Sequence, residues 1–251
     1  MITLDEVVII GGGCYGSFYA GQLARARQRG AVTWNRLLVV DQDPACAAAA
    51  LLPEVPKCAL VVEAWEPFLD HWLAGPRSPE DQVVPSPLMP HLMATWIERQ
   101  ARHRWPGHAI AMVPAAAEIG TPFDRLHPGD GVRYVSWADW LCPVHCIEPA
   151  TCPVIAAPRT WEMSDTVTAW TTDRARERPT VGPALFACRH VVYGVGMYPA
   201  VRAREALDLL GEGLRATPAG VDLVVASVSA CHGAVGLLRA EIRTTTTKGG
   251  G

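Results

Sequence analysis

Residues 7–16 read VVIIGGGCYG. An unbroken apolar run of four residues followed by turn formers reads as a strand buried on both faces. The glycines Gly11, Gly13 and Gly16 that follow are spaced G-x-G-x-x-G. Residues 17–29 beyond them are rich in Ala, Arg and Gln and stop at Gly30, the composition and stop signal of a helix. A buried strand, a glycine turn and a helix in that order suit phosphate binding. The first glycine permits the tight turn, the second lets backbone approach a pyrophosphate, and the third lets helix and strand pack closely. The unpaired N–H groups and positive dipole end of the helix then face the phosphates.

Working outward, strand-like and helix-like segments alternate. Residues 37–40 form a second apolar strand, closed by Asp41. Residues 45–52 are Ala-rich and read as a helix, 59–62 as a third strand and 65–73 as a short helix. Residues 82–84 form a fourth strand before PSP, 88–104 a longer helix and 109–113 a fifth strand. This alternation argues for a parallel sheet with helices on both faces. With Gly11-x-Gly13-x-x-Gly16 and Asp41 in their places, it resembles the Rossmann-type dinucleotide-binding superfamily over about the first 115 residues. The resemblance implies a doubly wound parallel sheet and a dinucleotide held by Gly11, Gly13, Cys14, Tyr15 and Gly16. Asp41 would accept hydrogen bonds from ribose hydroxyls and repel a 2′-phosphate, which favours NAD over NADP.

FAD is the alternative, because two-dinucleotide flavoenzymes share this kind of N-terminus. They need a late Gly-Asp after a strand, and the late strand here reads VVYGVGMYP. An S-adenosylmethionine site is disfavoured, since the first strand is wholly apolar and ends without an acidic residue. In such folds the segment after the fourth strand faces the cofactor, which brings in Pro85 and Ser86. Ser86 is a hydrogen-bond donor there. His91, in the first turn of the next helix, is a candidate proton donor, with a surface histidine as the plain alternative.

The second part of the chain differs. A boundary between residues 116 and 130 gives a dinucleotide-binding domain at 1–120, a Cys-rich α+β part at 121–243 and a disordered tail at 244–251. Residues 132–136, 190–198 and 222–229 read as strands, 161–176 and 200–210 as helices, and RPTVGP as a linker. Eight cysteines occur in 251 residues, and three lie in CPVHCIEPATCP: Cys142, Cys146 and Cys152. The prolines allow Cys142 and Cys146 to share one face of a turn and Cys152 to fold back toward them. Thiolates are preferred ligands for zinc and iron–sulfur clusters. A fourth ligand must come from elsewhere, and Cys188, Cys231, His232 and His145 are available. Cys231, in ACHG after a strand, joins Cys142, Cys146 and Cys152 as the proposed set. A cluster is preferred to zinc because one loop supplies three thiols. Thiol redox chemistry and plain buried cysteines are the other readings.

The formal charge is −3, without a basic block, which argues against nucleic acid and anionic membranes. No signal segment or spanning run is evident, so a cytoplasmic, homo-oligomeric protein with reduced thiols is expected. The expected function is an NAD-dependent oxidoreductase with a cysteine-ligated metal or cluster, acting on a small molecule or an electron-transfer partner. A non-catalytic NAD sensor, similar to the regulatory domains of potassium transport systems, is one alternative. A metal-binding accessory protein is another.

Overall fold

The computed structural model describes residues 1–143 and 146–243. In chain order the elements are β1 (Ile2–Ile10), α1 (Cys14–Gln28), β2 (Val32–Asp41), β3 (Cys58–Val62), α2 (Trp65–Ala74), β4 (Gln82–Val84), α3 (Leu92–Arg104), β5 (His108–Val113), β6 (Phe123–Leu126) and β7 (Arg133–Ser136). There follow β8 (Thr151–Cys152), β9 (Ala157–Pro158), α4 (Met163–Arg174), β10 (Thr180–Ala187), β11 (Arg189–Val192), β12 (Val195–Pro199), α5 (Arg202–Ala216), β13 (Gly220–Val228) and β14 (His232–Ile242).

They form two large sheets. The first runs β11-β12-β4-β1-β2-β3 and the second β10-β13-β14-β7-β6, with β5 also on β14. In the first sheet β4, β1, β2 and β3 are mutually parallel, while β12 joins β4, and β11 joins β12, antiparallel. In the second sheet only β10 and β13 are parallel. The expected doubly wound parallel sheet is therefore overturned, and the fold is a mixed α/β one. Part of the reason is local. Tyr193 and Gly194 both adopt positive φ, 48° and 76°. They turn the chain sharply and split residues 190–198 into the hairpin β11–β12, which delivers β12 to β4 in the antiparallel sense.

Strand alternation sets the layers. In β1, Val7 and Ile9 pack with Ala20, Leu23 and Ala26 of α1, while Val8 and Ile10 face Phe68, Leu69, Met93 and Ile97 of α2 and α3. That second core continues through Leu207 and Leu210 of α5 to Leu223 and Val225 of β13. On the far face of β13, Val224 and Ala226 pack with Met163, Val167 and Trp170 of α4. The layers are thus α1, first sheet, the α2–α3–α5 layer, second sheet, and α4. Both faces of each sheet are covered, which is why β1 and β13 read as continuous apolar runs.

Other expectations need correcting. The fifth strand leaves the first sheet and pairs with β14. Residues 45–52 form turns instead of a helix, because their amides are taken elsewhere. The Ala45 N–H donates to the Asp43 carboxylate at 2.8 Å, and the Ala48 N–H to the Gly12 carbonyl at 2.8 Å. RPTVGP lies largely in β10, and β14 was not expected as a strand. The tail at 244–251 and His145 lie outside the described residues. Among the described residues, no helix is long and apolar enough to cross a membrane.

Candidate functional site

The glycine turn joins the end of β1 to α1. Gly11 has φ +87°, a conformation that L side chains rarely adopt. A Cβ at Gly16 would stand 1.8 Å from the Gly11 carbonyl oxygen, so this glycine lets helix and turn touch. A Cβ at Gly13 would meet nothing within 4 Å, which leaves that side of the turn open to an approaching group. Gly13 is the N-cap of α1 and no side chain caps the helix, so first-turn N–H groups remain available. Cys14 is exposed as the first helical residue, and Tyr15 beside it is 37% exposed. Asp41 ends β2 with its carboxylate directed back at the turn, where it accepts the Gly12 N–H at 2.6 Å and the Asp43 N–H at 2.9 Å. Those two bonds leave acceptor capacity on both oxygens. Gly12, which the spacing did not single out, is also closely packed: its Cβ would lie 2.4 Å from the Cys46 sulfur.

The four cysteines expected to bind metal share the wall of one cavity without converging on a point. Cys142, Cys146, Cys152 and Cys231 all line one cavity of about 280 Å³, with Glu148, Arg159, His190 and His232 in the same wall. Three come from the loop after β7 and from β8, and Cys231 from the turn between β13 and β14. Glu148 holds the loop to that turn. Its carboxylate accepts the Ser229 hydroxyl at 2.6 Å and the Ala230 and Cys231 N–H groups at 2.8 and 3.2 Å. To do so Glu148 adopts φ 51°, a strained conformation for a non-glycine residue. The Glu148 N–H points at the Cys146 sulfur, 3.4 Å away, and the Trp161 indole N–H donates to the Cys231 sulfur at 3.2 Å. Trp161 stacks on Trp137 and meets Trp140 edge-on, so aromatic rings shield this side.

Burial pushes the Cys231 thiol up to about 11, and it raises Cys142 as well, aided by the neighbouring Cys146 and Cys152. Such thiols stay protonated at neutral pH; a bound cation reverses the balance, because coordination deprotonates a thiol. Among the described residues no three Cys, His, Asp or Glu side chains stand close enough together to form a finished metal site. The thiols surround the cavity at its wall. Cys188, another candidate fourth ligand, lies outside this wall, and burial pushes its thiol up to about 12.

A second cavity of about 510 Å³ adjoins the first and shares Pro87, Ser229 and His232 with it. Pro85 and Ser86, expected to face a cofactor, line this apolar cavity, with Phe123, Phe186 and Tyr198 opposite. The Ser86 hydroxyl accepts the Leu88 N–H at 3.3 Å. His91 is the N-cap of α3, and its Nδ1 is buried without a partner among the described residues; it lies outside the wall of this cavity. His232 stands where the cavities meet, with its Nδ1 2.8 Å from the Ser136 hydroxyl. Burial lowers the His232 pKa, opposed by the Glu148 charge, which favours a neutral imidazole at pH 7. Sequence reading named His232 only as a spare ligand and missed Ser136, Tyr198 and the anchoring role of Glu148. Contacts across some 80 residues and a positive φ at a glutamate leave little local signal.

The second cavity and the cysteine loop both fall within residues 93–241 for the most part, and that span matches a family model described as "Uncharacterized protein, C-terminal domain". No curated protein and no solved structure gives a significant match.

Proposed function

We propose that the chain, which belongs to the AF_1314_C family, is a dinucleotide-dependent oxidoreductase with a thiolate-ligated metal centre. In this reading Cys142, Cys146, Cys152 and Cys231 hold an iron–sulfur cluster in preference to zinc. NAD, or FAD as the alternative, sits at Gly11, Gly13 and Gly16, with Asp41 toward the ribose. The observation that carries the reading is that four thiols from two distant segments line one cavity, with aromatic rings beside it. Ligation requires the thiols to turn inward from that wall.

The topology adds support. β1 and β4 are parallel neighbours, with Ile9 opposite Val84. The glycine turn and the segment at 85–90 therefore leave the same edge of the first sheet, and that segment borders the apolar cavity. A bound nicotinamide or flavin supplies hydride chemistry. The chain's own residues position and protect. The backbone N–H groups of residues 13–16 receive phosphate, those of Gly11 and Gly12 being held by Val40 and Asp41; Trp137, Trp140 and Trp161 limit water at the thiols, and His232 can accept a proton between the two cavities. A nucleotide sensor would use the glycine turn and leave the cysteine cavity without a role.

Protein purified without oxygen should be brown and contain iron and acid-labile sulfide. Cys231→Ser should lose at least half of that metal, whereas Cys14→Ser should retain all of it. A colourless wild-type protein free of iron and zinc would refute the metal centre, as would full metal content in Cys231→Ser.

A further inference from the structure

A strand at the border of a sheet carries a row of N–H and C=O groups that its own sheet leaves unpaired, and proteins commonly guard that row. Most borders of the two large sheets are guarded. β5 spends backbone groups on α3: the Ile110 carbonyl accepts the Arg102 Nε–H at 2.8 Å, and the Met112 N–H donates to the Glu98 carboxylate at 3.2 Å. β10 carries Pro183 and a register shift between Val181 and Ala184. β11 begins with Arg189 and shifts register between His190 and Val192. β6 carries Asp124 and Arg125.

β3 has none of these guards. It pairs with β2 in unbroken register from Cys58 to Val62, and among the described residues no strand pairs with its other side. Its residues read CALVV, without charge or proline. In a parallel ladder alternate residues bond to the neighbouring strand. The Lys57 carbonyl accepts the Leu37 N–H at 2.9 Å, and the Glu63 N–H donates to the Asp41 carbonyl at 3.1 Å, which assigns the odd-numbered positions to β2. Cys58, Leu60 and Val62 therefore direct their N–H and C=O groups outward, and among the described residues these groups have no partner. The flanks are open too: Ala59 is exposed and Val62 is 55% exposed.

This edge is complementary to itself. Laid antiparallel to a second copy about Leu60, outward-facing Cys58 meets Val62 and Leu60 meets Leu60, and each pair exchanges both backbone bonds. The same register sets Lys57 of each copy opposite Glu63 of the other. A slip of one residue would set outward groups against inward ones, and a slip of two would lose both charge pairs. We propose that β3 is the interface of a two-fold dimer of this chain, joined by antiparallel β3–β3 pairing in that register. Each copy consumes its one open edge, so assembly closes at two. The first sheet then runs through both copies, with their glycine turns at opposite ends of the strands. The dimer needs neither nucleotide nor metal.

Sedimentation velocity over a dilution series tests this. Wild-type protein should run with the mass of two 27.1 kDa chains and dissociate on dilution. Val62→Pro removes an outward N–H that β2 does not use, so it should fold with the wild-type circular dichroism spectrum and sediment as a monomer. Lys57→Glu sets like charges opposite each other at both ends of the pairing and should weaken the dimer about tenfold. Glu63→Lys should do the same, and the double variant should regain wild-type affinity. A wild type that is monomeric at every concentration would overturn the proposal, as would a folded Val62→Pro that remains dimeric. A double variant no tighter than the single ones would overturn it too, and this charge exchange decides alone if Val62→Pro does not fold.

Discussion

At the scale of single residues, the glycines of the turn separate structural from functional demand. Gly16 and Gly12 are required by the protein itself, because a Cβ at either would strike the Gly11 carbonyl or the Cys46 sulfur. Gly13 has free space where a Cβ would go. Gly13→Val should therefore fold with little change in melting temperature and lose NAD affinity at least tenfold, measured by calorimetry. A folded variant with full affinity would place the nucleotide elsewhere. Asp222 of β13 poses the opposite case. It is fully buried and takes two bonds from Arg239 at 2.9 and 3.0 Å and one from Arg178 at 3.1 Å, with Arg174 3.5 Å away. Removing the carboxylate leaves Arg239 and Arg174 without their anionic partner, while Arg178 keeps Glu241, so Asp222→Ala should cost about 1.5–3 kcal/mol in denaturant unfolding. A loss under 1 kcal/mol, roughly the worth of a surface pair, would show that water reaches these arginines.

At the scale of elements, α5 depends on a glycine that helix propensity would reject. A Cβ at Gly213 would lie 2.9 Å from Val181 Cγ1 and 3.0 Å from Val221 Cγ2, on β10 and β13. Gly213→Ala gains about 1 kcal/mol of helix propensity and meets an overpacking cost of about 1–3 kcal/mol. Overpacking wins where both neighbours are branched side chains on one sheet, so a net loss of about 1 kcal/mol is expected in thermal unfolding. A stabilised variant would mean that α5 shifts outward freely. Elements were legible where local pattern and tertiary role agree, as in β1, β2, β4 and α3. They were illegible where distant partners decide. The Ala-rich stretch at 45–52 carries helix propensity but spends its amides on Asp43 and Gly12. β14 combines Gly233 and Gly236 with Arg239 and Glu241, a mixture without strand periodicity. Its glycines lie close against Val228, Met163 and Met112, and Arg239 is paired across to Asp222 on β13.

At the scale of the whole molecule, the two sheets draw strands from both halves of the sequence. β12 and β11 extend the first sheet, β5 sits in the second, and one apolar core runs from Val8 to Leu238. The fragment 1–120 lacks β12 and leaves α3 without its neighbour α5. It should give a poorly dispersed amide spectrum, while the full chain unfolds in one transition. A well-dispersed fragment would show that the first sheet is autonomous. The candidate site was legible as residue types, with four cysteines and a glycine turn, and illegible as a place. The apolar cavity exists only because the segment at 85–90 meets β7, β10 and β14. The partition of Pro87, Ser229 and His232 between the two cavities has a thermodynamic meaning. These three residues are the route by which an occupant of one chamber could be felt in the other. Linkage makes any such coupling reciprocal: the factor by which one occupant changes the other's dissociation constant is the same in either order of addition.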